Sequence, residues 1–208
     1  MEKDKLLAEV AGYYASRLAA HGQTPKGVDW NGEEGQVLRF EQLTRIIRDP
    51  AASLADIGCG YGAMLDYLRV RYPAMRYVGC DISREMVDAA RARHAASPGG
   101  RFVVGSQPPE RADYCVASGI FNVRLRHGDD EWFAYVTDTL DMMDRSSLRG
   151  FAFNCLTSYS DRERMRDDLY YADPCRLFDF CKRRYASDVA LLHDYGLYEF
   201  TMLVRKAA

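Results

Sequence analysis

The chain has 208 residues, of which 48% are hydrophobic and 28% charged, and its formal net charge is -2. This composition is typical of a globular protein, and the length favours one domain with a sizeable core over two domains. So small a net charge gives no overall field that would hold nucleic acid. No apolar run approaches the roughly 20 residues that a membrane helix needs.

Six cysteines are scattered along the chain, and none belongs to a C-x-x-C pair. Residues 1–5 are too acidic for the start of a secretory signal. We therefore expect reduced thiols in a cytoplasmic protein, without disulfides and without a metal site.

Two amphipathic helices are predicted ahead of the first strand. Apolar side chains of residues 3–20 recur near a 3.6-residue period, a Gly/Pro-rich stretch follows, and a second helix ends near Pro50. We expect residues 1–50 to form a helical cap over the mouth of one α/β domain that comprises residues 51–208.

Three side chains of this predicted cap are candidates for contacts with a ligand. Trp30 offers a stacking surface, while Gln36 and Arg39 offer polar contacts. The alternative roles are core packing for Trp30 and a surface ion pair for Arg39.

The next stretch is an apolar run that contains one acid and ends in three alternating glycines, Gly58, Gly60 and Gly62. It predicts a buried strand, a tight turn and the start of a helix. Glycine is favoured where the backbone takes positive φ or where a ligand lies against the main chain. The carboxyl end of the first strand in an open α/β sheet is a common ligand site.

Two cofactor classes fit this loop. The spacing G-x-G-x-x-A satisfies the degenerate dinucleotide fingerprint, which is weak evidence on its own. However, Asp56 stands two residues before the first glycine, where an anion would repel a pyrophosphate and attract a cation. The acid and the three glycines resemble the first motif of class I S-adenosylmethionine-dependent methyltransferases. The resemblance implies that the loop wraps the methionine part of this cofactor.

The second predicted strand ends at Asp81, 19 residues after Gly62. An acidic side chain at this place can accept both hydroxyls of a ribose. The resemblance implies that Ile82 and Met86 would enclose the adenine, although a core position in the next helix is the alternative role for Met86.

The third and fourth strands show one departure from the family pattern. The third strand is predicted to follow a turn over Ser97–Gly100. Just after this strand the family often carries an acidic residue, but here Ser106 and Gln107 occupy the place. The contact with the adenine is therefore left open. After the fourth strand, Ser118 and Gly119 correspond to the family's second main-chain contact with the cofactor, and the acceptor would approach just beyond.

The end of the chain predicts an antiparallel hairpin, because the two strands of residues 189–205 are joined by a short link at Tyr195-Gly196. The expected fold is a doubly wound, seven-stranded, Rossmann-like sheet with the final strand inserted and with a helical cap at the N-terminus. This hairpin is typical of the methyltransferase fold rather than the dinucleotide fold.

Five side chains are candidates for catalysis. His127 and His193 are possible general bases for an acceptor that must lose a proton. Tyr159, Tyr170 and Tyr171, in the polar segment after the fifth strand, could orient the acceptor.

The function expected from these features is methyl transfer from S-adenosylmethionine to an O or N atom of a small molecule. A protein methyltransferase is the alternative within the class. Residues 118–121 lack the Asn/Asp-Pro-Pro-aromatic motif of enzymes that methylate base or amide nitrogens. A cofactor-binding scaffold without transferase activity is the alternative from another class.

Overall fold

A computed structural model describes residues 2–30, 32–96 and 99–207 of the chain. Within these residues, six α-helices and eight β-strands follow one another, with one 3-10 turn at Pro25–Val28 and a second at Arg162–Arg164. The helices are α1 (Glu2–His21), α2 (Glu33–Thr44), α3 (Ala63–Arg71), α4 (Arg84–Arg93), α5 (Asp129–Ser146) and α6 (Pro174–Arg184). The strands are β1 (Ser53–Ile57), β2 (Arg76–Asp81), β3 (Gly100–Val104), β4 (Ala112–Ala117), β5 (Ser147–Thr157), β6 (Tyr171–Ala172), β7 (Asp188–Leu192) and β8 (Glu199–Arg205).

The strands form one sheet in the order β3-β2-β1-β4-β5-β8-β7. The first five strands of this order are parallel, whereas β8 runs antiparallel to both β5 and β7. The doubly wound sheet and the inserted last strand are confirmed. The short β6 adds an eighth strand beside the end of β5, which the sequence did not predict.

Three predicted boundaries need comment. The second helix ends at Thr44, six residues before Pro50, and a turn precedes β1. The link between β7 and β8 spans residues 193–198 and is longer than the predicted turn at Tyr195-Gly196. The turn predicted over 97–100 lies partly outside the described residues.

Helices cover both faces of the sheet. Side chains of α1, α5 and α6 pack in one buried cluster, and side chains of α2, α3 and α4 pack in the other. Because both faces are covered, the central strands read as nearly continuous apolar runs. The two N-terminal helices therefore join different layers, and the division into a cap and a domain stays a prediction.

The connection from β3 to β4, residues 105–111, contains no helix. On the face where a crossover helix would pack, α1 inserts Leu6 and Val10 into the same cluster as Trp132 and Leu140 of α5. In the described part of the chain, no helix combines the length and the apolarity that crossing a membrane requires.

Candidate functional site

A cavity opens at the carboxyl ends of β1, β2 and β4, where the strand order reverses between β1 and β4. Such a switch point is the usual ligand site of an open α/β sheet. The cavity holds about 1300 Å³ of empty space when its open mouth is included. Most of the residues predicted to bind the cofactor line it: Trp30, Asp56, Gly58, Gly60, Asp81, Ile82, Met86, Ser106, Gln107, Ser118 and Gly119.

The glycine loop is fixed by its own main chain. Gly58 and Gly60 have φ of 72° and 53°, in the left-handed region. The N–H groups of Gly58 and Cys59 both donate to the carbonyl of Cys80 in β2, at 2.8 and 3.0 Å. A side chain on Gly58 would place its Cβ 2.2 Å from a methyl carbon of Ile120. The loop thus lies wedged between the ends of β2 and β4.

Gly62 does not line the cavity. It has φ of 82° and caps the start of α3, and its carbonyl lies 3.0 Å from Nε2 of His94. Glycine is favoured at this position for two reasons: its φ is positive, and a Cβ would lie 3.0 Å from the ring of His94, at the end of α4.

Asp56 is a buried carboxyl that has, in the described part of the structure, a hydrogen-bond partner for only one of its oxygens. The residue is 2% exposed, and its Oδ2 accepts a hydrogen bond of 2.7 Å from the hydroxyl of Tyr77. Its Oδ1 is buried and has no hydrogen-bond partner among the described residues. Burial raises the pKa of this carboxyl to about 7, since desolvation disfavours the charged form. A buried, half-satisfied carboxylate is costly, and a cationic ligand would satisfy it.

Asp81 differs from Asp56 because both of its oxygens are engaged. Oδ2 accepts from the N–H of Gly60 at 2.9 Å, and Oδ1 accepts from the N–H of Ser83 at 2.8 Å. Burial raises its pKa, while these backbone bonds lower it. Each carboxylate oxygen has a second lone pair, so Asp81 can hold the loop and still accept a ribose hydroxyl.

A second buried atom without a partner stands at the end of β4. The hydroxyl of Ser118 lines the cavity and makes no hydrogen bond within the described chain. Next to it, the N–H of Gly119 donates to Oδ1 of Asn154 in β5 at 2.8 Å. The Ser118 hydroxyl is therefore available to a ligand.

Arg39 does not line the cavity, contrary to the prediction. Its guanidinium makes two hydrogen bonds to Glu199, at 2.9 and 2.6 Å, and lies 3.7 Å from the centre of the Trp30 ring. Glu199 also accepts from Nδ2 of Asn154 at 2.6 Å. Sequence reasoning missed Glu199 and Asn154, although each is a polar residue that stands next to an apolar stretch of its strand.

The two candidate histidines lie away from the cavity. His127 sits between Glu9 of α1 and Glu131 of α5, with nitrogen–oxygen distances of 3.2 and 3.0 Å. His193 is exposed and packs against the ring of Tyr159. Neither imidazole is placed as a general base, because α1 covers the first and the second follows β7 at the outer side of the sheet.

The three candidate tyrosines also lie outside the cavity. Tyr159 is 67% exposed, and Tyr170 is buried in the core beside α5 and α6. The Tyr171 hydroxyl accepts a hydrogen bond from the N–H of Arg166. The pairing of β6 with β5 draws this segment back onto the sheet, which the sequence pattern did not reveal.

Residues from α1 and α5 line the cavity where the prediction placed none. They include Tyr14 of α1 and, from α5, Tyr135, Asp138, Thr139 and Arg145. Burial raises the pKa of Tyr135 to about 12, so its hydroxyl stays protonated. Tyr14 fits the apolar period of α1, which is why the sequence assigned it to packing.

Comparison with known proteins identifies the family. The profile described as "Methyltransferase domain" matches residues 54–140. Rv1506c of Mycobacterium tuberculosis, which carries a methyltransferase name, is 61% identical over 156 residues, covering 75% of this chain and 94% of the relative. The chain belongs to the class I S-adenosylmethionine-dependent methyltransferases. This methyltransferase is accordingly an enzyme, and S-adenosylmethionine is its cofactor.

Other similarities of this methyltransferase are partial or concern the fold. The trans-aconitate 2-methyltransferase of Afipia carboxidovorans is 34% identical over 106 residues, covering 45% of this chain and 40% of that enzyme. DhpI in complex with S-adenosylhomocysteine has a TM-score of 0.63 at 15% identity and covers 95% of each chain. Human N-acetylserotonin methyltransferase has a TM-score of 0.60 at 13% identity, covering 97% of this chain and 68% of its own. These structures share the fold.

The residues present fit the cofactor. An unpartnered carboxylate oxygen, an unpartnered hydroxyl and a glycine loop open to the cavity are what a ligand with an ammonium group and a positively charged sulfur requires. The dinucleotide interpretation of the loop is thereby set aside.

Proposed function

We propose that this methyltransferase transfers a methyl group to an O or N atom of a small-molecule acceptor. The supporting observation is that the N-terminal part of the chain lines the cavity together with the strand ends. Its lining residues include Tyr14 of α1, Trp30 before α2, and Gln36 of α2. A concave site that is covered by the protein's own helices suits a small molecule. A polymer would need an open surface at the same place.

In this proposal the described residues hold the cofactor as follows. Asp56 and Ser118 would bind the polar methionine part through their unpartnered oxygens. Asp81 would accept the ribose hydroxyls, and Ile82 and Met86 would enclose the adenine. The position of each of these side chains on the cavity wall supports these assignments.

Ser106 and Gln107 would border the adenine from the end of β3. Because the acid common in the family is absent there, Tyr14 and Thr139 offer further polar contacts from the helices opposite. The helix α1 then serves as a wall of the adenosine site.

When bound, S-adenosylmethionine supplies a methyl group that the positive sulfur has already activated. The chain's own contribution is orientation and the exclusion of water, and orientation alone is worth up to roughly 7–11 kcal/mol in well-aligned systems. None of the described residues lining the cavity is a histidine. This supports an acceptor atom that attacks without first losing a proton, such as a carboxylate oxygen or an uncharged amine.

The charge of the cavity wall narrows the acceptor further. Among the described lining residues, Arg145 is the only lysine or arginine, whereas Asp56, Asp81 and Asp138 are acidic. Trans-aconitate carries three carboxyl groups, and such an acceptor would need several cations. We therefore favour an acceptor with no more than one negative charge.

Labelled S-adenosylmethionine and a cell extract test this proposal. After the reaction, dialysis separates small molecules from macromolecules, and chromatography then separates the unreacted donor from other small molecules. We expect a labelled product other than S-adenosylmethionine in the dialysable fraction. The Asp56→Asn variant is the control and should form much less of this product. Label confined to protein would contradict the small-molecule proposal and favour a protein methyltransferase.

A further inference from the structure

A closed ring of contacts joins the N-terminal part of the chain to the strand ends. It runs from the Gly119 N–H to Asn154 (2.8 Å), from Asn154 to Glu199 (2.6 Å) and from Glu199 to Arg39 (2.6 and 2.9 Å). Arg39 stacks under Trp30, and Trp30 packs on Gly119 so closely that a Cβ there would lie 2.3 Å from its ring. Each of the five residues comes from a different element or loop.

We propose that Arg39, Glu199 and Asn154 are positioning residues that couple the placement of Trp30 to the main chain at Ser118-Gly119. The inference rests on the proposed cofactor site. It assigns to this site three side chains that do not touch the ligand.

The ion pair is an expensive way to make a packing contact. The Arg39 and Glu199 side chains are only 11% and 1% exposed, and removing a charge from water is unfavourable for each of the two ions. Apolar residues of similar size often stabilise a fold as well or better. What this pair provides instead is a fixed plane: the two parallel hydrogen bonds orient the guanidinium, and the guanidinium orients the indole.

The orientation of the indole matters because Trp30 and Gly119 are neighbouring parts of the cavity wall. Gly119 has φ of 76° and is held from behind by Asn154. Glu199 binds both Asn154 and Arg39. It therefore links the residue that accepts the Gly119 N–H to the residue that packs on Trp30. Loss of its charge should loosen both contacts together.

The test is Glu199→Gln, which keeps the size of the side chain and removes the charge. S-adenosylhomocysteine is titrated into wild type and variant by calorimetry, and tryptophan emission is followed in parallel. The chain has two tryptophans; Trp132 is fully buried and donates to the Phe121 carbonyl. Trp30→Phe therefore identifies the emission that belongs to Trp30.

We expect the affinity of Glu199→Gln for S-adenosylhomocysteine to fall about tenfold, the loss of one charge-assisted interaction, and the ligand-induced change in Trp30 emission to shrink. Asp141→Asn is the control for the loss of one carboxylate charge. Asp141 accepts two hydrogen bonds from Arg184, each at 2.6 Å, in a more exposed pair, and it does not line the cavity. This variant should bind the ligand as wild type does.

A second variant keeps the test decisive if Glu199→Gln does not fold. Trp30→Leu removes the stacked ring and leaves the ion pair in place, and it should weaken binding to a similar extent. Where Glu199→Gln folds, its loss and that of Trp30→Leu should not add in the double variant, since they break one coupled unit. Where it does not fold, Arg39→Lys, which keeps the charge and loses the planar two-bond pair, takes its place in the same comparison.

Unchanged affinity in the folded variants, or fully additive losses, would overturn the coupling while leaving the cofactor site intact. Wild-type protein that does not bind S-adenosylhomocysteine would overturn the proposed site itself, and the coupling with it.

Discussion

The two sides of the cavity mouth are built by different means. At the ends of β1 and β2, main-chain groups of the glycine loop bond to Cys80 and Asp81, and these partners lie within one strand-helix-strand unit. At the ends of β4 and β5, side chains of Asn154, Glu199 and Arg39 make the contacts, and Arg39 and Glu199 are 160 residues apart.

This difference separates two kinds of dependence. Local backbone geometry determines the conformation of the β1–β2 side, so few substitutions elsewhere in the chain should change that conformation. The β4–β5 side depends on charges supplied by remote elements, so it should respond to changes far from the ligand. Each of the following experiments tests that contrast.

The largest effect is expected for Asp56→Asn. The variant loses the charge that would face the ammonium group of the ligand. We expect the affinity for S-adenosylhomocysteine, measured by calorimetry, to fall about 100-fold, as for a lost hydrogen bond to a charged group. The melting temperature should rise, because the variant removes a buried carboxylate that has, among the residues described, a partner for only one of its oxygens. A gain of 1 kcal/mol corresponds to roughly 2–4 °C in a chain of this size.

Asp66→Asn is the matched control for this loss of one negative charge. Asp66 lies on α3, pairs with Arg93 at 2.7 Å and does not line the cavity. Its affinity for the ligand should match that of wild type. Equal binding by Asp56→Asn and wild type would contradict the assignment of Asp56.

Gly119→Ala probes the β4–β5 side. The new Cβ would collide with Trp30, and we expect roughly tenfold weaker binding of S-adenosylhomocysteine in a calorimetric titration, about 1.4 kcal/mol. Gly196→Ala is the control, because its φ of 73° is nearly the same and its Cβ would meet nothing within 4 Å. The control should lose about 1–2 kcal/mol of stability from the left-handed backbone and no affinity. Equal effects of both variants on binding would contradict a role for the Trp30 contact.

The third prediction concerns pH. Because the pKa of Asp56 is raised to about 7 in the ligand-free protein, its carboxylate becomes protonated as the pH falls below 7, while the amino group of the ligand stays charged below about pH 8. Affinity for S-adenosylhomocysteine should therefore decrease several-fold from pH 7.5 to about 6, by up to tenfold per unit. Titrations in Asp56→Asn should show a flat profile, and a slope equal to that of wild type would assign the dependence to another group.

The stability of the ligand-free protein should change with pH in the opposite sense. A carboxyl whose folded pKa is raised from 3.8 makes the folded state lose stability as the pH rises from about 4 to 7. The thermal gain of Asp56→Asn should accordingly be largest above pH 7 and vanish near pH 4. Thermal unfolding at several pH values measures this difference.

The smallest effects are expected for two rejected candidates. Tyr170→Phe and His127→Ala alter side chains that do not line the cavity, so affinity should stay within about twofold of wild type. His127→Ala should lower the melting temperature slightly, because it removes contacts between α1 and α5. A large loss of turnover in either variant, with binding unchanged, would support a catalytic role for that residue.

The sequence predicted the β1–β2 side well for a physical reason. The glycines and Asp56 are constrained by neighbours a few residues away, and a strand, a tight turn and a helix start are local events. Asp81 was found for the same reason, since it ends the next strand. These positions can be read without knowing how distant parts of the chain pack.

The places of Arg39 and of the candidate catalytic residues were predicted poorly, because tertiary packing decides where these side chains lie. The pattern gave no sign that β6 would draw Tyr170 into the core, or that α1 would cover His127. Arg39 was singled out as a ligand contact, and its partner Glu199 was not recognised, because a pair so distant in sequence leaves no periodic signal. Tyr14 was hidden by the same apolar period that predicted α1.

The insertion of β8 between β5 and β7 has a consequence for biosynthesis. The other strands leave the ribosome before residues 199–205 do. The edges of β5 and β7 that pair with β8 therefore lack their partner strand until this segment has been synthesised. Glu199 is the first residue of that segment, and its carboxylate completes the contacts behind Gly119. A nascent chain can thus form the glycine loop early, but it cannot assemble the opposite wall of the pocket until translation has passed β8.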